Sequence, residues 1–205
     1  MNVAYVNSRL ILKAILNAFF GLEIEGAENL PEKGPFIVAS NHVSHVDPVV
    51  VGVACKTSQL TFMAKKELFD IPIVGPWVKA VGCIPVERDS GSYGSLKKAV
   101  KMLKEGGSIG IFPEGRRSPD GTLKKPHPGI GLLAVKSGAP IVPIYVSGTA
   151  KVMPKGQKLP KPHKIKARIG KIINISDGAG ASGKREAYES IGEKVIGAIA
   201  ALKNE

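Results

Sequence analysis

His42 and Asp47 stand five positions apart in the stretch Asn41-His42-Val43-Ser44-His45-Val46-Asp47-Pro48. An imidazole held against a carboxylate can take a proton from a hydroxyl, while the carboxylate fixes the tautomer and stabilises the imidazolium that forms. On one continuous helix, side chains five apart point about 140° away from each other. The pair therefore works only if the chain turns between the two residues. The flanking sequence predicts that turn. Phe36–Ser40 has the length and β-branched content of a buried strand, and Val49–Ala54 reads as a helix. Asp47-Pro48 is a helix start, its carboxylate expected to accept from the free N–H groups of the first turn. The chain has no Gly-x-Ser-x-Gly elbow, and neither cysteine sits beside a histidine. The implied chemistry is direct attack by an acceptor hydroxyl, without a covalent enzyme intermediate.

A metal reading competes, since His42-x-x-His45-x-Asp47 offers three ligands. His45 has no structural reason to face the same way, and His127 and His163 lack ligand-like spacing. No metal is expected.

Lys65, Arg88 and Glu114 share the address of His42, because each comes just after a predicted strand: Gln59–Ala64, Cys83–Val86 and Ser108–Phe112. In open α/β sheets, ligands bind beyond the carboxyl ends of parallel strands. Neighbouring parallel strands would bring the four segments to one site. Further short strands are expected at Leu22–Glu25, Ile141–Val146 and Ile165–Ile169. Helices are expected at Ser95–Glu105, Ile130–Ser137 and Lys184–Lys203. The first turns Leu96, Ala99, Val100 and Leu103 inward, and the last buries Tyr188, Ile191, Val195 and Ile199. The expected fold is α/β: a mixed, largely parallel sheet flanked by helices over residues 22–205, preceded by a helix within residues 1–21.

That first helix, Val3–Phe20, is apolar almost all round, with Arg9, Lys13 and Asn17 spaced as one polar stripe. A spanning helix needs about 20 mainly apolar residues, and here two cations fall mid-segment. A membrane-associating amphipathic helix lying in the interface suits it better, with a core helix as the alternative. Leu68–Gly82 is apolar but broken by Pro72, Gly75 and Pro76, so no long regular helix fits. Such a segment lines an acyl-chain cavity, touches a bilayer, or forms a kinked core helix.

The net charge of +12 is concentrated, with no Asp or Glu between Gly121 and Ser176. Such a field serves nucleic acid, anionic lipid headgroups or phosphorylated substrates. The lysine-rich tract Lys151–Lys171 has no aromatic residue to stack a base, and no nucleic-acid-binding signature is present. Nucleic acid is not expected as a partner. A non-catalytic basic module is disfavoured too, because the polar residues collect at strand ends. Cys55 and Cys83 lie in apolar segments without ligand spacing and read as buried, reduced thiols of a cytosolic compartment. No secretory signal is evident.

Taken together, several blocks resemble the glycerolipid acyltransferases, specifically the 1-acyl-sn-glycerol-3-phosphate (lysophosphatidate) acyltransferases. Asn41-His42 with Asp47 resembles their His-x4-Asp signature, and Gly82-Cys83-Ile84-Pro85-Val86-Glu87-Arg88 their Gly-x-Ile-x-x-x-Arg block. Phe112-Pro113-Glu114-Gly115-Arg116-Arg117-Ser118 is similar to Phe-Pro-Glu-Gly-Thr-Arg-Ser. Ala139–Ile144 resembles a fourth, Val-Pro-containing block, and Ala64–Leu68 a further common element. The blocks stand in the family's order and span about residues 36–150.

The resemblance implies that His42 is the general base and Asp47 its orienting partner. The acceptor's sn-2 hydroxyl would attack an acyl thioester, of coenzyme A or acyl carrier protein, converting lysophosphatidate to phosphatidate. Glycerol-3-phosphate or another lysophospholipid is the alternative acceptor. Arg88, Arg117 and Lys65 would hold the acceptor's phosphate, and Glu114-Gly115 would shape the site around it, Glu114 also being a candidate structural partner of Arg88 or Arg117. The thioester is a co-substrate, and no cofactor is expected. The implied location is the cytoplasmic face of the cell membrane, monotopic or peripheral, where a basic face meets anionic lipid. Two departures stand out. Arg116 replaces the usual Thr, and Pro126-His127-Pro128-Gly129 stands where many relatives have Phe-Lys-x-Gly.

Overall fold

Phe36 to Ser40 alternates side chains to two faces of the molecule, and both faces are buried. That is the position of a central strand covered by helices on both sides. The structure is a computed structural model and describes residues 1–86, 93–118, 120–154, 156–157, 159–175 and 184–203. Among these residues the strands are β1 (Glu23–Glu25), β2 (Ile37–Ser40), β3 (Leu60–Lys65), β4 (Ile84–Val86), β5 (Ser108–Ile111), β6 (Ile141–Ser147) and β7 (Lys166–Ile169). They form one seven-stranded sheet in the order β1-β7-β6-β2-β5-β3-β4. Strands β2 to β6 run parallel, while β7 is antiparallel to β6 and parallel to β1. The sheet is thus mixed and largely parallel, as expected.

The helices are α1 (Val3–Phe20), α2 (Asp47–Ala54), α3 (Val74–Ala80), α4 (Tyr93–Lys104), α5 (Gly129–Ser137), α6 (Thr149–Val152) and α7 (Lys184–Ala201). Phe36 and Val38 of the central segment pack with Val50, Val53 and Cys55 of α2 and its C-terminus, and with Leu16 of α1. Ile37 and Ala39 pack with Leu103 of α4, Leu133 of α5 and Ile191, Val195 and Ile199 of α7. The period-2 alternation of one strand therefore divides the helices between two layers. On α7, Tyr188 is half-buried, short of the full burial expected, where its backbone passes Gly131 of α5.

Leu68–Gly82 is irregular, as its Pro and Gly residues predict. A 3₁₀ turn at Lys66–Asp70 is followed by a bend and then the short α3. Cys55 is fully buried, whereas Cys83 is only partly so; both thiols are free, and burial pushes that of Cys83 up to about 11.

Helix α1 lies against α2 along one edge and leaves the rest of its surface open. Tyr5 and Leu16 are buried, and the Tyr5 hydroxyl donates to Gly52 O (3.3 Å) and accepts from Leu60 N–H (3.1 Å). Arg9 is one helical turn beyond Tyr5 on this same edge, with its Nε buried. The expected polar stripe is thereby split, because Tyr5, Leu12 and Leu16 claim the inward edge and Arg9 comes with them. Leu10, Ile11, Ile15 and Phe19 remain exposed. Trp77 Nε1 donates to Ser8 Oγ (3.1 Å), setting α3 beside α1, and Ile71, Ile73 and Trp77 add their own exposed surface.

Candidate active site

Strand β2 ends at Ser40, and the next residue is pinned to its neighbour strand. Asn41 Nδ2 donates to Val146 O (2.9 Å), and Asn41 Oδ1 accepts from Val146 N–H (2.7 Å). With that amide held on β6, the chain leaves the sheet and turns into α2. His42 and Asp47 meet across this turn, with His42 Nδ1 2.9 Å from Asp47 Oδ2. The carboxylate is fully buried. Its Oδ2 also accepts from the backbone N–H groups of Val43 (2.6 Å) and Ser44 (2.7 Å), and its Oδ1 accepts from Thr149 Oγ1 (2.5 Å). The Asp47 side chain thus folds back over the turn that precedes α2. It does not cap the first turn of the helix, because the turn's own amides and His42 reach it first.

A carboxylate only accepts, so the proton of a neutral imidazole sits on Nδ1 and the lone pair on Nε2. Among the described residues, Nε2 has no hydrogen-bond partner. The His42 ring stacks on Phe112 (centroids 4.1 Å apart, 20° between planes), which in turn lies over Phe62 (6.0 Å). Gly110 makes this stack possible, since a Cβ there would come within 2.3 Å of the Phe62 ring.

Glu114 holds the backbone of the site. Its Oε1 accepts from His42 N–H (3.0 Å) and its Oε2 from Lys124 N–H (3.2 Å). Both partners are backbone amides, and among the described residues Arg117, one of the two cations named for it, makes no ion pair with it; the other, Arg88, falls on residues the structure does not describe. His42 O in turn accepts from Ser118 N–H (2.7 Å). The histidine is therefore fixed by its ring through Asp47 and Phe112, and by its backbone through Glu114 and Ser118. Gly115 adopts a left-handed conformation (φ 66°), and a Cβ there would lie 3.3 Å from His127 Cδ2. His127 N–H donates to Pro113 O (2.7 Å), so the segment Pro126–Gly129 is tied into the site despite its unusual composition.

The cations are less tightly gathered. Arg117 is half-buried and close enough to act on His45. The proton affinity of His45 is lowered, first by loss of hydration around its ring, then by the charges of Arg117 and His42. Arg116 is exposed. Lys65 ends β3, with β5 between it and β2, and pairs with Glu67 (2.6 Å). Arg88 lies outside the described residues. Among the described residues, no group of three His, Cys, Asp or Glu side chains is placed to hold one metal ion.

Sequence reasoning placed Asn41 and Phe112 in the motif blocks without giving either a role, and it missed Thr149 altogether. Phe112 carried a faint signal as the residue before Pro113-Glu114. Thr149 carried none, being 102 positions from Asp47.

Residues 21–147 match the family model described as Acyltransferase. The 1-acyl-sn-glycerol-3-phosphate acyltransferase of Bacillus subtilis (strain 168) is 36% identical over 167 residues, covering 81% of this chain and 80% of that relative. The chloroplastic 1-acyl-sn-glycerol-3-phosphate acyltransferase LPAT1 of Arabidopsis thaliana is 36% identical over 68% of this chain, which spans 40% of that longer protein. Among solved structures, the 1-acyl-sn-glycerophosphate (LPA) acyltransferase PlsC of Thermotoga maritima superposes with a TM-score of 0.79 at 28% identity, covering 98% of this chain and 80% of that one. A hydrogen-bonded His42–Asp47 pair at the carboxyl end of a central parallel strand, on this fold and in these sequence blocks, leads to one assignment: the chain is a transferase belonging to the acyltransferase family.

Proposed function

We propose that this acyltransferase moves an acyl group from an acyl thioester to the sn-2 hydroxyl of lysophosphatidate, giving phosphatidate. The observation that carries the proposal is the His42 Nδ1–Asp47 Oδ2 hydrogen bond of 2.9 Å, which leaves the Nε2 lone pair as the open base. The names of the relatives support the choice of acceptor. In the proposed step, Nε2 takes the proton of the acceptor hydroxyl as its oxygen bonds to the thioester carbonyl carbon. The C–S bond then breaks, and the leaving thiolate takes the proton back from the imidazolium. The ester and the free thiol depart, and His42 returns to its neutral form. The thioester, on coenzyme A or acyl carrier protein, is consumed as co-substrate, and no cofactor enters the step.

Arg117, with Lys65 and Arg88, is the proposed holder of the acceptor's phosphate. Only a guanidinium offers that group two parallel donors. Glu114 serves the same acceptor indirectly, by keeping the His42 backbone in place. The test is a matrix of purified protein against lysophosphatidate, glycerol-3-phosphate and lysophosphatidylcholine, each with an acyl-coenzyme A and an acyl-acyl carrier protein. Lysophosphatidate is expected to give the highest kcat/KM with at least one donor. Preference for another acceptor would overturn the proposal.

We place the protein at the cytoplasmic face of the membrane, held by α1 lying in the interface. Leu10, Ile11, Ile15 and Phe19 are exposed on the helix, and Ile71, Ile73 and Trp77 adjoin it. Helices with this division of faces partition into the headgroup boundary. The double substitution Ile11→Glu with Ile15→Glu touches no buried position and is expected to release the protein from anionic phospholipid vesicles in a sedimentation assay. Undiminished sedimentation of the variant would exclude α1 as the anchor.

A further inference from the structure

The geometry points to Thr149 as a positioning residue for the catalytic dyad, acting through Asp47 from the far side of the carboxylate. The carboxylate has two oxygens with unequal duties. Oδ2 meets His42 and two backbone amides, whereas among the described residues Thr149 Oγ1, at 2.5 Å, is the donor on Oδ1. The torsion that turns a carboxylate about its Cβ–Cγ bond is soft and broad. An anchor on Oδ1 defines the plane of the group, and with it the direction in which Oδ2 faces the imidazole.

Thr149 is itself held by a feature that only glycine supplies. Gly148 is left-handed (φ 87°), and a Cβ there would fall 2.0 Å from Lys164 O. The chain segment entering β7 passes that close, and Gly148 lets α6 begin beneath it. The residues on either side of Gly148 and Thr149 grip the dyad's turn at two further points. Asn41 is bonded both ways to Val146, and Ser44 Oγ donates to Met153 O (3.2 Å). Residues 146–153 thus clasp the turn at its start, its middle and its end.

Thr149 is fully buried, so it can touch neither lipid nor thioester. A misdirected carboxylate weakens stabilisation of the imidazolium, which forms only during turnover. The effect therefore belongs in kcat and not in KM. A misplacement of this kind costs about 10-fold to 100-fold in rate.

The inference rests on His42 being the base, and the experiment separates the two. Thr149→Val, Thr149→Ala and Thr149→Ser are compared in wild-type and His42→Ala backgrounds, well below each melting temperature. The Val and Ala variants are expected to lose 10-fold to 100-fold in kcat, with both KM values within about threefold of wild type. Ser restores the hydroxyl and is expected to recover most of kcat. In the His42→Ala background, removing the hydroxyl is expected to change the residual rate little, because residues acting as one unit are not additive. Unchanged kcat in Val or Ala, failure of Ser to rescue, or a full further loss in the His42→Ala background would each overturn the role of Thr149. Should Val fail to fold, the Ala–Ser comparison carries the same outcomes. Full activity of His42→Ala itself would instead overturn the base assignment.

Discussion

His42→Ala is expected to lower kcat by about 10³-fold to 10⁴-fold, toward the upper end of what general-base catalysis contributes, while the protein stays folded. The expectation follows from the division of contacts around this residue. The ring supplies the open Nε2, the bond to Asp47 and the stack on Phe112, while the backbone N–H and carbonyl are held by Glu114 and Ser118. Truncation at Cβ removes the first set and leaves the second. Asp47 still accepts from Val43, Ser44 and Thr149, so no buried acceptor is stranded. Circular dichroism and the melting temperature should change little, and the loss should appear in single-turnover acyl transfer. A rate within tenfold of wild type would remove His42 from the chemistry.

Asp47 is expected to separate charge from structure in a way His42 cannot. In Asp47→Asn, the amide oxygen can keep the bonds from His42, Val43 and Ser44, while the amide nitrogen donates to Thr149 Oγ1. The three bonds on Oδ2 stay matched and only the contact with Thr149 is reversed, its hydroxyl proton losing an acceptor, but the charge that stabilises the imidazolium is gone. This variant should remain close to wild type in denaturant unfolding and lose about 10³-fold to 10⁴-fold in kcat, the scale seen when a triad carboxylate is neutralised. Asp47→Ala is different. It strands two backbone N–H groups and a buried hydroxyl, each worth about 1–3 kcal/mol when unsatisfied. Several kcal/mol is a large share of the stability of a single domain. Equal stability of the Asn and Ala variants would show that the four contacts on Asp47 do not hold the turn.

The dyad was legible in the sequence because its logic is local. A strand, five residues and a helix start can be read without knowing the rest of the chain, and they force His42 and Asp47 together across a turn. The meeting of Glu114 with His42 was legible for a similar reason, since parallel strands put successive carboxyl ends on one edge; Lys65 stands at its own strand end, with β5 between it and β2. Partners of the dyad from distant strands were not. Asn41 meets Val146 and Asp47 meets Thr149 only because β6 lies beside β2, and no pattern within either segment records that pairing. The direction of β7 was hidden too: its alternation shows which residues are inward but not which way the strand runs. On α1, a helix apolar around most of its circumference gives weak notice of which edge meets protein. Periodicity placed Arg9 with Lys13, and the packing of Tyr5, Leu12 and Leu16 drew it partly inward, with its Nε buried.

The position of β2 between β5 and β6 also sets when the enzyme becomes an enzyme. The strand bearing the dyad is made early in the chain, yet both of its neighbours lie about 70 to 105 residues further on. Until they arrive, the turn lacks Val146, Thr149 and Glu114, and β2 has no strand to pair with. Contacts of such long sequence separation form late and slowly in folding. Recovery of acyl transfer during refolding is therefore a clock for the joining of β2 to β5 and β6, and a chain stopped short of α6 would carry His42 and Asp47 without the Thr149 that completes their contacts.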